Sequence, residues 1–318
     1  MENFRGKWNL SMSGFSKSDG FRDEEQGFEE LGLIGFCCEF AVAPRRRRGI
    51  GDEVHELQEI ELKDERSPIL HNKSLFFVLI KWGTFNGHII PGTLFLAVGI
   101  WHIWTATVRY VSNPKSFKVK AWNPIPGING KLRNLELYVI TIGCLLDICF
   151  ELSYAPNLIN FEHSGMLIMF FIFGFTALLS QETRFLPLPV EALCLISAIA
   201  FSAESFLFYF HSTSHKGLEG YYHLLLVILI GLCIISTVAG AIVPTSFGLD
   251  LSSGISITLH GVWFYQTAFT LYGPMMPEGC SLKDDSIVCK SLNNQVRGEM
   301  LANFQLSILM MMGLIQIN

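Results

Sequence analysis

Five histidines, His88, His163, His211, His215 and His223, stand at the ends of apolar stretches that alternate in direction, so they are expected to gather at one membrane face. Imidazole titrates near neutral pH and is costly inside lipid, which makes such a group a candidate site. Acids accompany it. On one helix Glu204, His211 and His215 are separated by seven and eleven residues, which keeps all three within about 40° of one another. Glu162 reaches the same face, with Glu151 as a further acid. The set His88, Glu162, His163, Glu204, His211, His215 and His223 offers nitrogen and oxygen ligands of the kind that bind zinc or copper. It also suits a cluster of interhelical hydrogen bonds that responds to protons. A third reading places these rings beside Tyr209, Tyr221 and Tyr222 in an interfacial aromatic belt.

Deeper in the apolar stretches lie His102 and His260, which would hold a b-type haem if they faced each other. The preferred reading is two separate hydrogen-bonding histidines. Asp147 and Glu191 read as the remaining buried acids. Cys280 and Cys289, nine residues apart in a loop, are a disulfide candidate or a pair of free thiols. No phosphate-binding loop, nucleophile elbow, HExxH or kinase signature is present, so nucleotide hydrolysis and the common hydrolase mechanisms have no support. The function expected is a non-enzymatic scaffold or receptor-like membrane protein. A zinc- or copper-dependent hydrolase or redox protein is the alternative.

The elements that must position these residues follow from composition. Half of the 318 residues are hydrophobic and only 16% are charged, with a mean hydropathy of +0.38, which marks a membrane protein. The first 70 residues carry 10 of the 23 Lys/Arg and 15 of the 28 Asp/Glu. Residues 1–82 therefore read as a charged, mostly disordered extension. Its run Arg45 to Arg48 is flanked by acids and reads as solvated charge, and the net charge of −5 gives no indication of a nucleic-acid partner. No apolar h-region follows Met1, so the first spanning helix is expected to target the chain.

Residues 83–318 are expected to form an all-α bundle of seven transmembrane helices, with the lipid bilayer and other membrane proteins as partners. The spans read as about Pro91–Val108 with Pro91 in the first turn, Leu135–Tyr154, His163–Ser180, Pro187–His211, Tyr221–Val243, Leu249–Leu271 and Met300–Ile317. The loops on one side carry Arg109, Lys115, Lys118, Lys120, Lys131, Arg133 and Arg184. Those on the other carry Lys216, Lys283, Lys290 and Arg297. That bias places the first side in the cytoplasm and the histidine face opposite it. The membrane itself, plasma membrane or endomembrane, is not specified.

The strings GHIIPGTLF (Gly87 to Phe95), HSGM (His163 to Met166), AESFLFYFH (Ala203 to His211), HLLL (His223 to Leu226) and HGVWFYQ (His260 to Gln266) occur in order. They resemble the transmembrane protein 45 family, seven-helix proteins of unknown activity with plant members. The resemblance covers about Gly83 to Asn318. It implies a multi-pass membrane protein with a cytoplasmic carboxyl end, and it gives residues 1–82 no counterpart.

Overall fold

A computed structural model describes the backbone of residues 68–154, 158–283 and 286–315, and the side chains of residues 85–153, 161–283 and 286–313. Among these residues it has seven α-helices: α1 (Pro68–Ser112), α2 (Leu135–Tyr154), α3 (Leu158–Glu182), α4 (Val190–Ser214), α5 (Leu218–Ile242), α6 (Phe247–Thr267) and α7 (Leu292–Ile315). A π-helical turn, Ala268–Tyr272, continues α6. Local chemistry sets several ends. α2 stops just ahead of Pro156, Pro189 caps α4, and the Ser246 hydroxyl accepts from the Leu249 N–H at the start of α6.

Two expectations change. Pro91 lies inside α1 rather than in its first turn, because the helix starts upstream at Pro68. There it leaves the Gly87 carbonyl, four residues before it, without its helical hydrogen bond. The chain is also not wholly α. Strands β1 (Cys280–Lys283) and β2 (Ser286–Cys289) pair antiparallel, with Cys280 opposite Cys289 in register and joined to it by a disulfide. Of the extension read as residues 1–82, residues 68–82 belong to α1, and the expected disorder of residues 1–67 lies outside the described residues.

The helices pack as successive neighbours, α1 on α2, α2 on α3, and so on to α6, which returns to α1. α7 rests against α5 and α6. α6 is the most enclosed, with His260, Trp263 and Thr267 all fully buried. The α1–α6 seam depends on glycine. A Cβ at Gly99 would sit 2.5 Å from the Thr258 backbone nitrogen, and one at Gly261 would sit 2.5 Å from that of Leu96. Only glycine lets these backbones come so close, which is a recurring way to pack helices where lipid gives no hydrophobic drive.

Four of the seven helices are long and apolar enough to cross a membrane: the Phe85–Ser112 part of α1, Phe161–Glu182 of α3, α4 and α5. Between α1 and α2 the chain folds back against the bundle rather than looping free. Phe117, Val119, Trp122 and Asn123 are buried, the Val119 N–H donates to the Pro244 carbonyl at 2.7 Å, and the Trp101 indole donates to the Asn123 carbonyl at 3.1 Å.

Candidate functional site

Alternation brings one end each of α2 to α5 and the π turn after α6 to the level of His88, which lies inside α1 rather than at its start, since that helix begins at Pro68. The inward stripe of α4 reads Ser197, Phe201, Glu204, Phe208, His211, and that of α1 reads His88, Pro91, Phe95, His102, Arg109. Steps of three, four and seven residues keep each series on one helix face.

At this end His88 of α1, His163 of α3, His211 of α4, His215 just past the end of α4, and His223 of α5 form one group. The expected helical stripe ends at His211, because the His215 backbone is already extended. Ring centroids lie 4.2 Å apart for His211 and His215, 4.8 Å for His211 and His223, 5.1 Å for His163 and His211, and 5.4 Å for His88 and His223. Three acids border them. Glu162 Oε2 lies 3.1 Å from His211 Nδ1, Glu151 Oε2 is 3.6 Å from His163 Nδ1, and Glu219 Oε1 is 3.6 Å from His215 Nε2. The Tyr272 hydroxyl donates to Glu219 Oε1 at 2.7 Å.

Backbone carbonyls define the tautomers. His223 Nδ1 is 2.9 Å from the Glu219 carbonyl, and His215 Nδ1 is 3.0 Å from that of His211. A carbonyl oxygen only accepts, so each Nδ1 carries the proton and each Nε2 offers a lone pair when the ring is neutral. His88 Nε2 lies 3.2 Å from His223 Nε2, so His88 donates that hydrogen bond. His215 Nε2 faces the Glu219 carboxylate.

Glu204 sits deeper than the five histidines. Its Oε1 is 3.5 Å from His260 Nε2, an approach that closes no hydrogen bond, and its Oε2 has no hydrogen-bond partner among the described residues. Both Asp147 oxygens are in the same position. Asp147 and Glu204 line a cavity of about 30 Å³ together with His88, Glu151 and His163.

The two histidines considered for haem have separate partners. His102 Nε2 meets Glu136 Oε1 at 2.6 Å, and Glu136 Oε2 accepts from the Asn123 N–H at 2.6 Å. His260 lies against Phe95, ring centroids 4.2 Å apart. No described contact joins His102 to His260. Glu191 is exposed in the first turn of α4, where a carboxylate favours the helix N-terminus, so it is not a buried acid.

The opposite end holds a second polar group. Arg109 pairs with Asp250, whose other oxygen accepts from the Lys120 N–H at 3.4 Å, and the Arg109 guanidinium also lies over the Phe117 ring at 5.3 Å. Burial, added to the positive charges of Arg109 and Arg133, holds the Lys120 ammonium below its ordinary pKa.

Sequence reasoning missed Glu219, Tyr272, Glu136 and the Arg109–Asp250 pair. Glu219 was within reach, since it precedes His223 by one helical turn. Glu136 and Asp250 are brought to their partners only by packing between helices.

These helices and their enclosed histidines and acids define a helical membrane protein of unknown activity. Residues 190–317 match a protein family described as a family of unknown function, DUF716, which is the family of the transmembrane protein 45 proteins. The matched stretch runs through α4 to α7 and contains Glu204, His211, His215, His223 and His260.

Proposed function

We propose that this chain is a non-enzymatic, receptor-like membrane protein of seven spans whose state is set by protons bound at the histidine–carboxylate end. Five imidazoles drawn from four helices and held against three carboxylates carry this reading. α2, which carries the buried acids Glu136, Asp147 and Glu151, α6, which carries Asp250 and His260 and is the most enclosed helix, and α7 complete the seven proposed spans. Outward-facing Trp104, Leu146, Ile199, Phe206, Ile228 and Ile235 suit contact with lipid or with helices of other membrane proteins. The Cys280–Cys289 bridge lies at the histidine end and supports its placement on the oxidising, non-cytoplasmic side.

The groups that face the cluster are His88 from α1, Asp147 and Glu151 from α2, Glu162 and His163 from α3, and Glu204 and His211 from α4, with His215 just past its end. Glu219 and His223 come from α5, and His260 and Tyr272 from α6 and its π turn. Five imidazoles meet three carboxylates directly, so filling the cluster with protons leaves excess positive charge on rings as close as 4.2 Å. The melting temperature of the detergent-purified protein should therefore fall between about pH 8 and pH 5. His211→Ala and His223→Ala should each blunt that fall. Combined at neutral pH, the two should be non-additive by roughly 0.5–3 kcal/mol. A pH response identical to wild type in both variants, with additive effects, would reduce these residues to interfacial side chains.

The metalloprotein alternative rests on the His88–His223 contact, whose Nε2 spacing of 3.2 Å suits two ligands of one tetrahedral ion. Among the described residues no three His, Cys, Asp or Glu side chains converge as a metal site. Stoichiometric zinc or copper in the purified protein, lost in His223→Ala, would put this reading in place of the proton-binding one.

A further inference from the structure

Three cavities follow one another along the bundle. The first, of about 30 Å³, opens from the histidine end and is lined by Asp147 and Glu204. A second, of about 60 Å³, shares Pro91, Phe95, Leu167 and Phe170 with it and reaches His102 and Glu136. A third, of about 20 Å³, shares His102, Ala121, Ser197 and Ile257 with the second and ends at Lys120 and Asp250. The α1 stripe beside them runs from His88 to Arg109, which at 1.5 Å per residue is about 31 Å. That is close to the roughly 30 Å thickness of a bilayer's hydrocarbon core.

Ionisable groups occur along this line, but at one level the path narrows between aromatic rings, with His260 beside them. At that level Phe95, Phe170 and Phe201 close on one another, with centroids 5.2 Å apart for Phe95 and Phe170, 5.0 Å for Phe170 and Phe201, and 6.3 Å for Phe95 and Phe201. His260 lies against Phe95 at this barrier, the two rings tilted by 34°. Carboxylates and imidazoles kept only to tie helices together would be hydrogen-bonded to protein. Asp147, Glu204 and His260 are 1%, 2% and 0% exposed, yet Asp147 has neither oxygen bonded, Glu204 has one bare, and neither His260 nitrogen has a hydrogen-bond partner among the described residues. Such groups suit transient exchange of a proton with water. At about 10–15 Å³ per molecule the first cavity has room for about two waters beside Asp147, Glu151 and Glu204, and the third for about one. The second is mainly apolar and offers polar partners only at its His102, Glu136 and Ser197 end, so water enters it transiently. A hydrated metal cation is too large for them.

We propose that the bundle conducts protons along this line, with the Phe95–Phe170–Phe201 barrier as its gate. A proton taken up by the histidine cluster passes by way of the Asp147 carboxylate to that of Glu204, each becoming a neutral acid in turn, and then to the His260 imidazole, 3.5 Å from Glu204. From there it crosses the aromatic level through water to the His102–Glu136 pair and leaves at Asp250. Each carrier returns to its starting form once the proton moves on, so one positive charge is transferred per passage. The proposal rests on the proton-binding reading of the cluster.

The test uses the full chain in liposomes enclosing a pH-sensitive dye, with a potassium gradient and valinomycin driving proton entry. Wild type, or Phe201→Ala if the gate is shut at rest, should acidify the lumen faster than protein-free vesicles. Glu204→Gln should lose that uptake; if it does not fold, as judged by a monodisperse detergent profile, Asp147→Asn takes its place. Uptake equal to empty vesicles in both wild type and Phe201→Ala, from monodisperse protein, would overturn the proposal. So would uptake that persists unchanged in both Glu204→Gln and His260→Gln. The two readings fail separately, since stability can remain pH-dependent at the cluster while no proton crosses.

Discussion

Asp250 and Arg109 show how much one partnership can carry. The Asp250 side chain is 2% exposed and that of Arg109 is 23% exposed, and they join the start of α6 to the end of α1. Removing one member of a buried pair leaves the other charge without compensation, at a typical cost of 3–5 kcal/mol. Because Arg109 still reaches solvent, the lower end applies. Arg109→Ala is expected to destabilise by about 3 kcal/mol in a detergent melt. Adding Asp250→Asn should recover part of the loss, and a double variant whose loss equals the sum of the Arg109→Ala and Asp250→Asn losses would show that the pair contributes no net coupling. At this scale the sequence was half legible. The periods of the α1 and α4 stripes can be read from residue spacing, and they place His88, His102, Glu204 and His211 inward. The identity of a partner such as Glu136, 34 residues from His102, depends on how two helices rotate against each other. No spacing within one helix carries that information.

Helices α1 and α6 meet across glycines, and the polar stripes of both are set by that seam. A side chain at Gly99 or Gly261 has backbone in its way rather than a movable side chain. Gly261→Val should therefore push the helices apart and destabilise the protein by roughly 1–3 kcal/mol or more. Gly231→Ala, with nothing within 4 Å of the added carbon, should be neutral. Equal melting temperatures for the two variants would mean that the close approach does not limit packing. Element existence was readable for a plain reason: apolar runs interrupted by Pro156, Pro187 and Pro244 leave few other places for helices to end, and the second span matches α2 residue for residue. Pro91 misled because a proline in the first turn and one in a tolerated interior position look alike in sequence. The β1–β2 hairpin was missed because strands of four residues are too short for a period of two to stand out.

For the molecule as a whole, the proposed direction of insertion rests on the basic residues between α1 and α2 and on the disulfide at the other end. Single cysteines placed between Lys115 and Lys131 should react with membrane-impermeant reagents only from the cytoplasm. Labelling from outside would invert the bundle and put the histidines in the cytoplasm. Residues 1–82 are proposed to be dispensable for insertion. α1 reaches back to Pro68, and its Phe85–Ser112 part, 28 residues, is by itself long and apolar enough to cross a membrane. At 1.5 Å per residue these extend about 42 Å, beyond the roughly 30 Å needed to span the hydrocarbon core. Nothing upstream of Gly83 is then required for the first crossing. A chain beginning at Gly83 with an added Met should insert, keep its protease-protected fragments and melt within about 0.5 kcal/mol of the full chain, as surface changes usually do. Loss of insertion or of protection would assign the upstream charges a part in directing the first helix. Unaltered insertion with a large loss of stability would instead show that residues 68–82 pack on the bundle as part of α1.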